Sequence, residues 1–527
     1  MPIVKKTKTN SKAQNTPLVL IILDGWGIAP PSKSNAIWLA KTPIMDRLWK
    51  RYPHTSLKAS GQYVGLPLKQ NGNSEAGHMN LGAGRIVNQD SVIISKSIKD
   101  GTFFKNPAFL EAIGHVQRRK SHLHLLGILS DDQCPHASPD HLEALLQLEK
   151  IRKIRPVFLH LFTDGRDSAR YAAIKLIRKL EKKLKNQEKV ASILGRYYLD
   201  RTKNWEVTEL VYNSLILGEG LKASSPSKAI LQAYNRGETD EFISPTKITS
   251  DHRPLSSINN KDSVIFFNLR SDRARQLTKP FVQKDFNAKN PGAFRRKKVL
   301  KDIKFVVMTD FGPDLEGVLT AYPSIEVKDT LPMALSNLHQ IYIAEAQKYA
   351  HMTYFFNGGY AQPVGREERV TIPSISVKHF EEKPKMSAGM ITTIALKKLK
   401  EKRYDFLALN FANPDMVGHT GNLQSTVVAL EFVDLCLKRI VQEVLKQKGT
   451  VVITADHGNA EEMINLATGE VDTKHSSSEV PLIIVSNSRQ LTSKKQLPKG
   501  ILGNVAPTIL DILKIEKPKL MKCQSLL

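Results

Sequence analysis

Cysteine is scarce in this 527-residue chain, which has only Cys134, Cys436 and Cys523. The number is odd, the spacing is wide and no CxxC occurs, so a disulfide framework is excluded and a reducing, cytoplasmic setting is expected. Long hydrophobic runs are missing too. The longest cover six or seven residues, as in Leu18 to Leu23, far short of a membrane-spanning helix. That first run follows a basic N-terminus (Lys5, Lys6, Lys8, Lys12), as in a signal peptide. It ends at Asp24 of DGWG with no small-residue cleavage pattern behind it. Residues 1–16 are therefore expected to form a solvated basic tail, and the run a core strand. The C-terminal SLL is not the SKL address.

Negative charge is also in short supply: 51 acidic residues stand against 77 Lys and Arg, a formal net charge of +26. Such a surplus raises the question of a nucleic-acid or anionic-membrane partner. Much of it sits in RKLEKKLKNQEK (178–189), RRKKVLKDIK (295–304) and KKLKEKR (397–403). Acidic residues are mixed into these runs and aromatics for base stacking are absent. They read as solvated faces of helices, and neither nucleic acid nor membrane is the expected partner.

What is present is a globular composition, 41% hydrophobic, on a chain too long for one ordinary core. A theme recurs without a tandem repeat: a short apolar run, a polar crest, then an amphipathic stretch. It is seen in LVLIILDGWG, LHLLGILSDDQCPH, VFLHLFTDGRD, SVIFFNLRSDRAR, FLALNFANPDMVGH and TVVITADHGNAEEM. Buried strands alternating with helices predict an α/β fold with mostly parallel sheets, in which ligands bind beyond the carboxyl ends of the strands. Crests near 24, 415 and 456 carry Asp and His. Those near 131–136, 166, 196–201 and 270–273 carry Arg with Asp or His. The simplest architecture is a discontinuous domain, 17–88 with 323–527, interrupted by a second α/β domain at 89–322.

Asp415 and His419 are four apart and can face one point from a helix or tight turn. Asp456 and His457 adjoin at a strand end and can address two neighbouring points. His475 adds an imidazole and Asp24 a carboxylate. Such oxygen and nitrogen ligands suit Mn²⁺, Mg²⁺ or Zn²⁺. Any one Asp–His pair could equally be a capped turn; the set carries weight only when complete. Two metals can activate a hydroxyl and neutralise a transferring phosphoryl group. The candidate nucleophile is Ser74 in NGNSEAGHMNLGAG, between a Gly/Asn turn and a helix start that favours phosphate oxygens. The competing reading is that Ser74 only caps that helix, with Glu75 in its first turn.

These residues, with DGRD, GRYY, FFNLRSDRARQLT, AEAQKYAHMTYFFNGG, KPKMSA and NVAPTILDIL, resemble the cofactor-independent phosphoglycerate mutases. That family belongs to the alkaline-phosphatase superfamily, and the resemblance runs from Pro17 to the C-terminus. It implies an alkaline-phosphatase-like three-layer domain holding two divalent metals, often Mn²⁺, interrupted by a substrate-binding domain. It further implies interconversion of 3-phosphoglycerate and 2-phosphoglycerate, a glycolytic and gluconeogenic step, through a phosphoserine and without bisphosphoglycerate. By resemblance, Asp415, His419 and His475 bind one metal, and Asp24, Ser74, Asp456 and His457 the other. Substrate would be held by His136, Arg166, Asp167, Arg196, Arg201, Arg270, Arg273 and Lys348. Asp167 and Lys348 would join Ser74 in catalysis. A trianionic substrate suits guanidinium forks, although single Arg residues beside Asp also suit surface ion pairs. The chain departs from the family in reading SDDQCPHAS around His136 and in a GRYY…DR stretch one residue shorter before Arg201. A cytoplasmic monomer acting on a small molecule is expected. The rival readings are another phosphomutase or phosphomonoesterase of the superfamily, and a basic nucleic-acid-binding protein on a degenerate enzyme core.

Overall fold

The computed structural model describes residues 16–131, 134–185, 187–251, 253–324, 326–377, 379–493 and 495–527. The expected basic tail, apart from Thr16, lies outside the described residues, as do Asp132 and Gln133 of the SDDQCPHAS loop. The chain divides into two compact units, Met1–Gln89 with Ile325–Leu527, and Asp90–Ser324.

The first unit is built on a sheet of eight strands among the described residues. Their spatial order is Glu367–Ile372, Gln340–Glu345, Phe406–Phe411, Leu18–Leu23, Thr450–Thr454, Val480–Ser486, His54–Lys58 and Gly500–Ile501. The first five are parallel and Val480–Ser486 is antiparallel to both neighbours. Leu18–Leu23 is buried along its whole length. A strand with both faces apolar is stable only between two helical layers, which is the physical content of its unbroken aliphatic run. It runs parallel between Phe406–Phe411 and Thr450–Thr454, so Asp24, the Asn413–Gly418 helix and Asp456 all emerge at one sheet edge. The long Leu423–Lys446 helix starts on the Asn422 side chain, which accepts from Ser425 N. Its buried Asp434 in turn accepts from Ile44 N at 3.0 Å and Met45 N at 2.8 Å. That carboxylate caps the Pro43–Arg51 helix from outside, supplying acceptors that its own first residues lack.

The second unit has its own sheet, in the order Leu319–Tyr322, Lys304–Thr309, Ser263–Phe266, Leu123–Leu129, Val157–Thr163, Glu188–Gly195, Thr246–Ser250 and Leu221–Ala223. Pairing along this order is parallel except where Glu188–Gly195 meets Thr246–Ser250, and a short ninth strand, Arg253–Pro254, adds to Thr246–Ser250 antiparallel. All six apolar runs singled out in the sequence are strands of one sheet or the other. A buried polar ladder crosses the second sheet: Asp262 Oδ2 lies 3.1 Å from His124 Nε2, His124 Nδ1 is 3.0 Å from His160 Nε2, and His160 Nδ1 is 2.8 Å from Ser192 Oγ. Lys247, beside Ser192 on the next strand, is fully buried and its Nζ has no hydrogen-bond partner.

Two of the expected helix faces are corrected. In the 178–189 run the helix reaches only Glu181, and Glu188 already opens the Glu188–Gly195 strand. The 295–304 run is irregular chain leading into the Lys304–Thr309 strand. Arg296 pins it by donating to the carbonyls of Pro280, Gln283 and Lys284, and Asp302 takes a positive φ of 53° that a helix does not admit. All three cysteines are free thiols. No helix among the described residues is long and apolar enough to cross a membrane.

Candidate active site

The Ser74–Ala83 helix begins one residue earlier than the capping reading required. Asn73 is its cap, accepting from Ala76 N at 2.9 Å, so Ser74 is the first helical residue and its hydroxyl is free for other work. The helix runs so close to the Asp456 turn that a Cβ on Gly77 would lie 2.5 Å from the Asp456 carbonyl oxygen. Only glycine permits that approach.

Around the Ser74 hydroxyl the first unit gathers every residue it was expected to contribute. Ser74 Oγ lies 2.9 Å from His457 Nε2 and 3.3 Å from Asp24 Oδ1. Lys348 Nζ donates to Ser74 Oγ at 2.7 Å, Asp24 Oδ1 at 2.6 Å and Asp415 Oδ2 at 2.7 Å. Lys348 is carried between the Gln340–Glu345 strand and a π-helical turn, His351–Phe355, an irregularity often found at functional sites. Asp415 Oδ1 is 3.2 Å from His419 Nε2, 3.3 Å from His475 Nε2 and 3.9 Å from His457 Nε2. Burial, then the neighbouring Asp456, pushes the Asp24 carboxyl above the usual range, against the pull of Lys348. Burial opposes the charge on Lys348, but Asp24 and Asp415 outweigh it and hold the ammonium above its ordinary value.

The donor set fits divalent cations. His419 Nδ1 faces the Thr473 carbonyl at 2.7 Å, His475 Nδ1 the Gly72 carbonyl at 2.9 Å and His457 Nδ1 the Gly458 carbonyl at 3.2 Å. A carbonyl only accepts, so each ring carries its proton on Nδ1 and turns an Nε2 lone pair inward. Two of those lone pairs, on His419 and His475, are 3.0 Å apart. Three buried carboxylates share the space with one lysine. Such crowding of acceptors calls for more positive charge than Lys348 supplies.

A polar frame that the sequence reading did not single out surrounds these groups. Asn459 Nδ2 donates to Asp415 Oδ1 at 3.0 Å, and Glu461 accepts from Gly27 N, Asn459 N and Ser476 Oγ. Asn410 Nδ2 donates to Asp24 Oδ2 at 2.7 Å and lies 3.1 Å from His78 Nε2. Two signals in the sequence could have exposed them: His78 is one helical turn beyond Ser74, and Asn410 is the lone polar residue of FLALNF.

In the second unit His136, Asp167 and Arg196 come together. Arg196 Nη1 donates to Asp164 at 2.5 Å and to Asp167, while Nη2 is 3.0 Å from His136 Nε2. Burial, then Arg196, lowers His136 to about 3, so the ring is neutral. His136 Nδ1 is 3.6 Å from Asp272, which takes Arg201 at 2.6 Å. Arg273 donates to the Leu199 carbonyl at 3.2 Å, and burial with Arg196 and Arg201 nearby lowers it to about 10. Arg270 occupies the N-cap position of the Ser271–Val282 helix without a side-chain capping bond. Arg166 stands apart, exposed and 3.8 Å from Glu241. The Nε atoms of Arg196 and Arg273 are buried with no hydrogen-bond partner. Sequence reading missed Asp164 and Asp272, the carboxylates that hold this cluster in place.

Residues 16–517 match the Metalloenzyme superfamily. A 2,3-bisphosphoglycerate-independent phosphoglycerate mutase of Clostridium kluyveri is 46% identical, covering 97% of this chain and 99% of its own. One from Moorella thermoacetica is 46% identical over 98% and 99%. The chain belongs to the 2,3-bisphosphoglycerate-independent phosphoglycerate mutase family. A crystal structure of Leishmania mexicana phosphoglycerate mutase at low cobalt concentration superposes with a TM-score of 0.79 at 28% identity, covering 98% of each chain. Family membership extends over both units, and the α/β fold with its phosphatase-like first unit is that of the family.

Proposed function

We propose that this chain interconverts 3-phosphoglycerate and 2-phosphoglycerate without bisphosphoglycerate, carrying the phosphoryl group on Ser74. The observation that carries the reading is the Ser74 hydroxyl, released from capping and set among His457, Asp24 and Lys348. Asp415, His419 and His475 would hold one divalent ion, and Asp24, Ser74, Asp456 and His457 a second, with Mn²⁺ our choice among the ions the donors admit. Two such ions supply Lewis-acid stabilisation of a deprotonated serine and of charge on a transferring phosphoryl group.

The protein's own groups do the rest. Ser74 Oγ forms a bond to phosphorus as the bond from phosphorus to the C3 oxygen of the glycerate breaks. Lys348 keeps a fixed positive charge beside Oγ, where negative charge builds. Asp167 gives a proton to the departing oxygen and, in the return step, takes one from the C2 hydroxyl. His136, Arg166, Arg196, Arg201, Arg270 and Arg273, with Lys348, grip the carboxylate and phosphate. The partnerless Nε–H groups of Arg196 and Arg273 support this, since a buried cationic donor without a partner is costly unless an anion meets it. The enzyme is read as a cytoplasmic monomer.

Purified chain given Mn²⁺ and 3-phosphoglycerate, with no bisphosphoglycerate, is expected to form 2-phosphoglycerate with little free phosphate. Phosphate release without 2-phosphoglycerate would make it a phosphomonoesterase. A requirement for added bisphosphoglycerate would overturn the scheme.

A further inference from the structure

We propose that Asn410 and His78 are positioning residues that fix each other's hydrogen-bond polarity and so hold Asp24 and Asp456, with His78 protonated at Nδ1 and outside the metal ligand set. The inference deepens the proposed function and rests on it for the metal-holding role of the two aspartates.

Proximity alone would suggest otherwise. One ligand atom each from Asp24, His78 and Asp456 lies within 4.8 Å of the others, close enough for a metal triad. The hydrogen bonds decide against it. Asn410 is buried near the end of the Phe406–Phe411 strand, paired with Ile22, which puts its side chain beside Asp24. Its Nδ2 reaches Asp24 Oδ2 at 2.7 Å and His78 Nε2 at 3.1 Å. An amide nitrogen can only donate. Turning the amide over would set its oxygen against the Asp24 carboxylate, so the orientation is fixed. His78 Nε2 therefore accepts and carries no proton.

With Nε2 accepting from Asn410, the ring's proton lies on Nδ1. That atom faces only acceptors, the Ser74 carbonyl at 2.9 Å and Asp456 Oδ2 at 3.2 Å. The nitrogen nearest Asp456 thus has no lone pair to give a metal, and the other is covered by Asn410. His419, His457 and His475 share this tautomer, with Nδ1 protons spent on carbonyls, but their Nε2 atoms turn toward Asp415 where His78 Nε2 meets the Asn410 amide. His78 joins separate pieces of chain: the Phe406–Phe411 strand at Asn410 and, through it, Asp24 at the end of Leu18–Leu23; the end of Thr450–Thr454 through Asp456; and the first turn of the Ser74 helix. Partners behind metal ligands commonly govern affinity by orienting them.

The test is nitrogen NMR on full-length chain labelled with ¹⁵N-histidine, metal-stripped and loaded with diamagnetic Zn²⁺. The His78 signals are assigned by their loss in His78→Gln or, should that variant not fold, by their shift in Asn410→Ala. The expected spectrum is the Nδ1-protonated tautomer in both states. An Nε2-protonated ring, or a His78 nitrogen shifted by zinc, overturns the proposal. Asn410→Ala should weaken Zn²⁺ affinity about 10- to 100-fold in chelator competition and relax the His78 tautomer. Unchanged affinity with an unchanged tautomer also overturns it. Mutase turnover of the unsubstituted chain is read separately: its absence refutes the proposed reaction, while the tautomer still tests the frame.

Discussion

Lys348 Nζ and Ser74 Oγ are 2.7 Å apart, and the same ammonium bridges Asp24 and Asp415. One cation therefore touches the candidate nucleophile and two of the three carboxylates around it. Removing the hydroxyl and removing the cation should consequently have different signatures. Ser74→Ala is expected to abolish phosphoryl exchange while divalent binding largely survives, because the carboxylates and imidazoles remain. Lys348→Met is expected to lower kcat by roughly 10²–10³, as losing one preorganised charge at a transferring group commonly does. It should also tighten divalent binding, since three carboxylates lose their internal counterion. Steady-state kinetics with calorimetric metal titration separates the two. Substantial turnover by Ser74→Ala would remove phosphoserine from the scheme.

The strands were legible because Leu18–Leu23, Phe406–Phe411 and Thr450–Thr454 are nearly unbroken apolar runs ending in charged crests. Sequence spacing also foresaw Asp415 and His419, which meet across one turn of helix. It could not foresee which side chain caps the Ser74 helix, because Asn73 and Ser74 are both good caps and only backbone angles choose between them. Nor could it find Asp164 or Asp272, whose arginine partners are about 30 and 70 residues distant in the chain. The helical reading of 295–304 failed for a related reason. Charge runs report solvation, and there the backbone is dictated by the carbonyls that Arg296 reaches.

Metal removal should be felt as lost stability, not only as lost activity. Asp24, Asp415 and Asp456 are essentially buried, and with the metals gone they repel one another. Ligand binding to the folded state alone adds about 2.7 kcal/mol at a hundredfold excess over Kd. Chelation is therefore expected to lower the Tm of the first unit and to raise amide exchange in the Asn413–Gly418 helix and the Asp456 turn. Mn²⁺ should restore both. Identical exchange with and without metal would show that the cluster does not need cations to hold its form.

The cysteines should be poor targets. Burial, then Asp164 and Asp167, pushes the Cys134 thiol far above its usual range, and burial likewise raises Cys436. The thiolate is the reactive form, so alkylation of the native chain at neutral pH should begin at Cys523, the least buried of the three. Activity should survive that first modification. Mass spectrometry showing Cys134 labelled first, with inactivation in step, would contradict the burial described for it.

The ladder crossing the second sheet predicts a pH dependence with two limbs. Burial lowers His124, and burial together with Lys247 and His124 lowers His160, so both titrate below their ordinary 6.5. As pH falls below that value the unfolded chain takes up protons first, and stability present above it is lost. Lys247 works in the alkaline range, where burial lowers it from 10.5 to about 8. The unfolded chain keeps that proton up to 10.5, so stability rises with pH between about 8 and 10.5. Below that window the cost of the buried charge is present in full, about 3 kcal/mol for a shift of this size. Lys247→Met keeps the stem and drops the charge. It should stabilise the second unit at pH 7 by up to about 3 kcal/mol and flatten the alkaline limb. His160→Gln should flatten the acid limb. Hydrogen exchange of peptides from Val157–Thr163 and Thr246–Ser250 across pH, corrected for intrinsic rates, measures both. An alkaline slope unchanged in Lys247→Met would assign that limb to other groups.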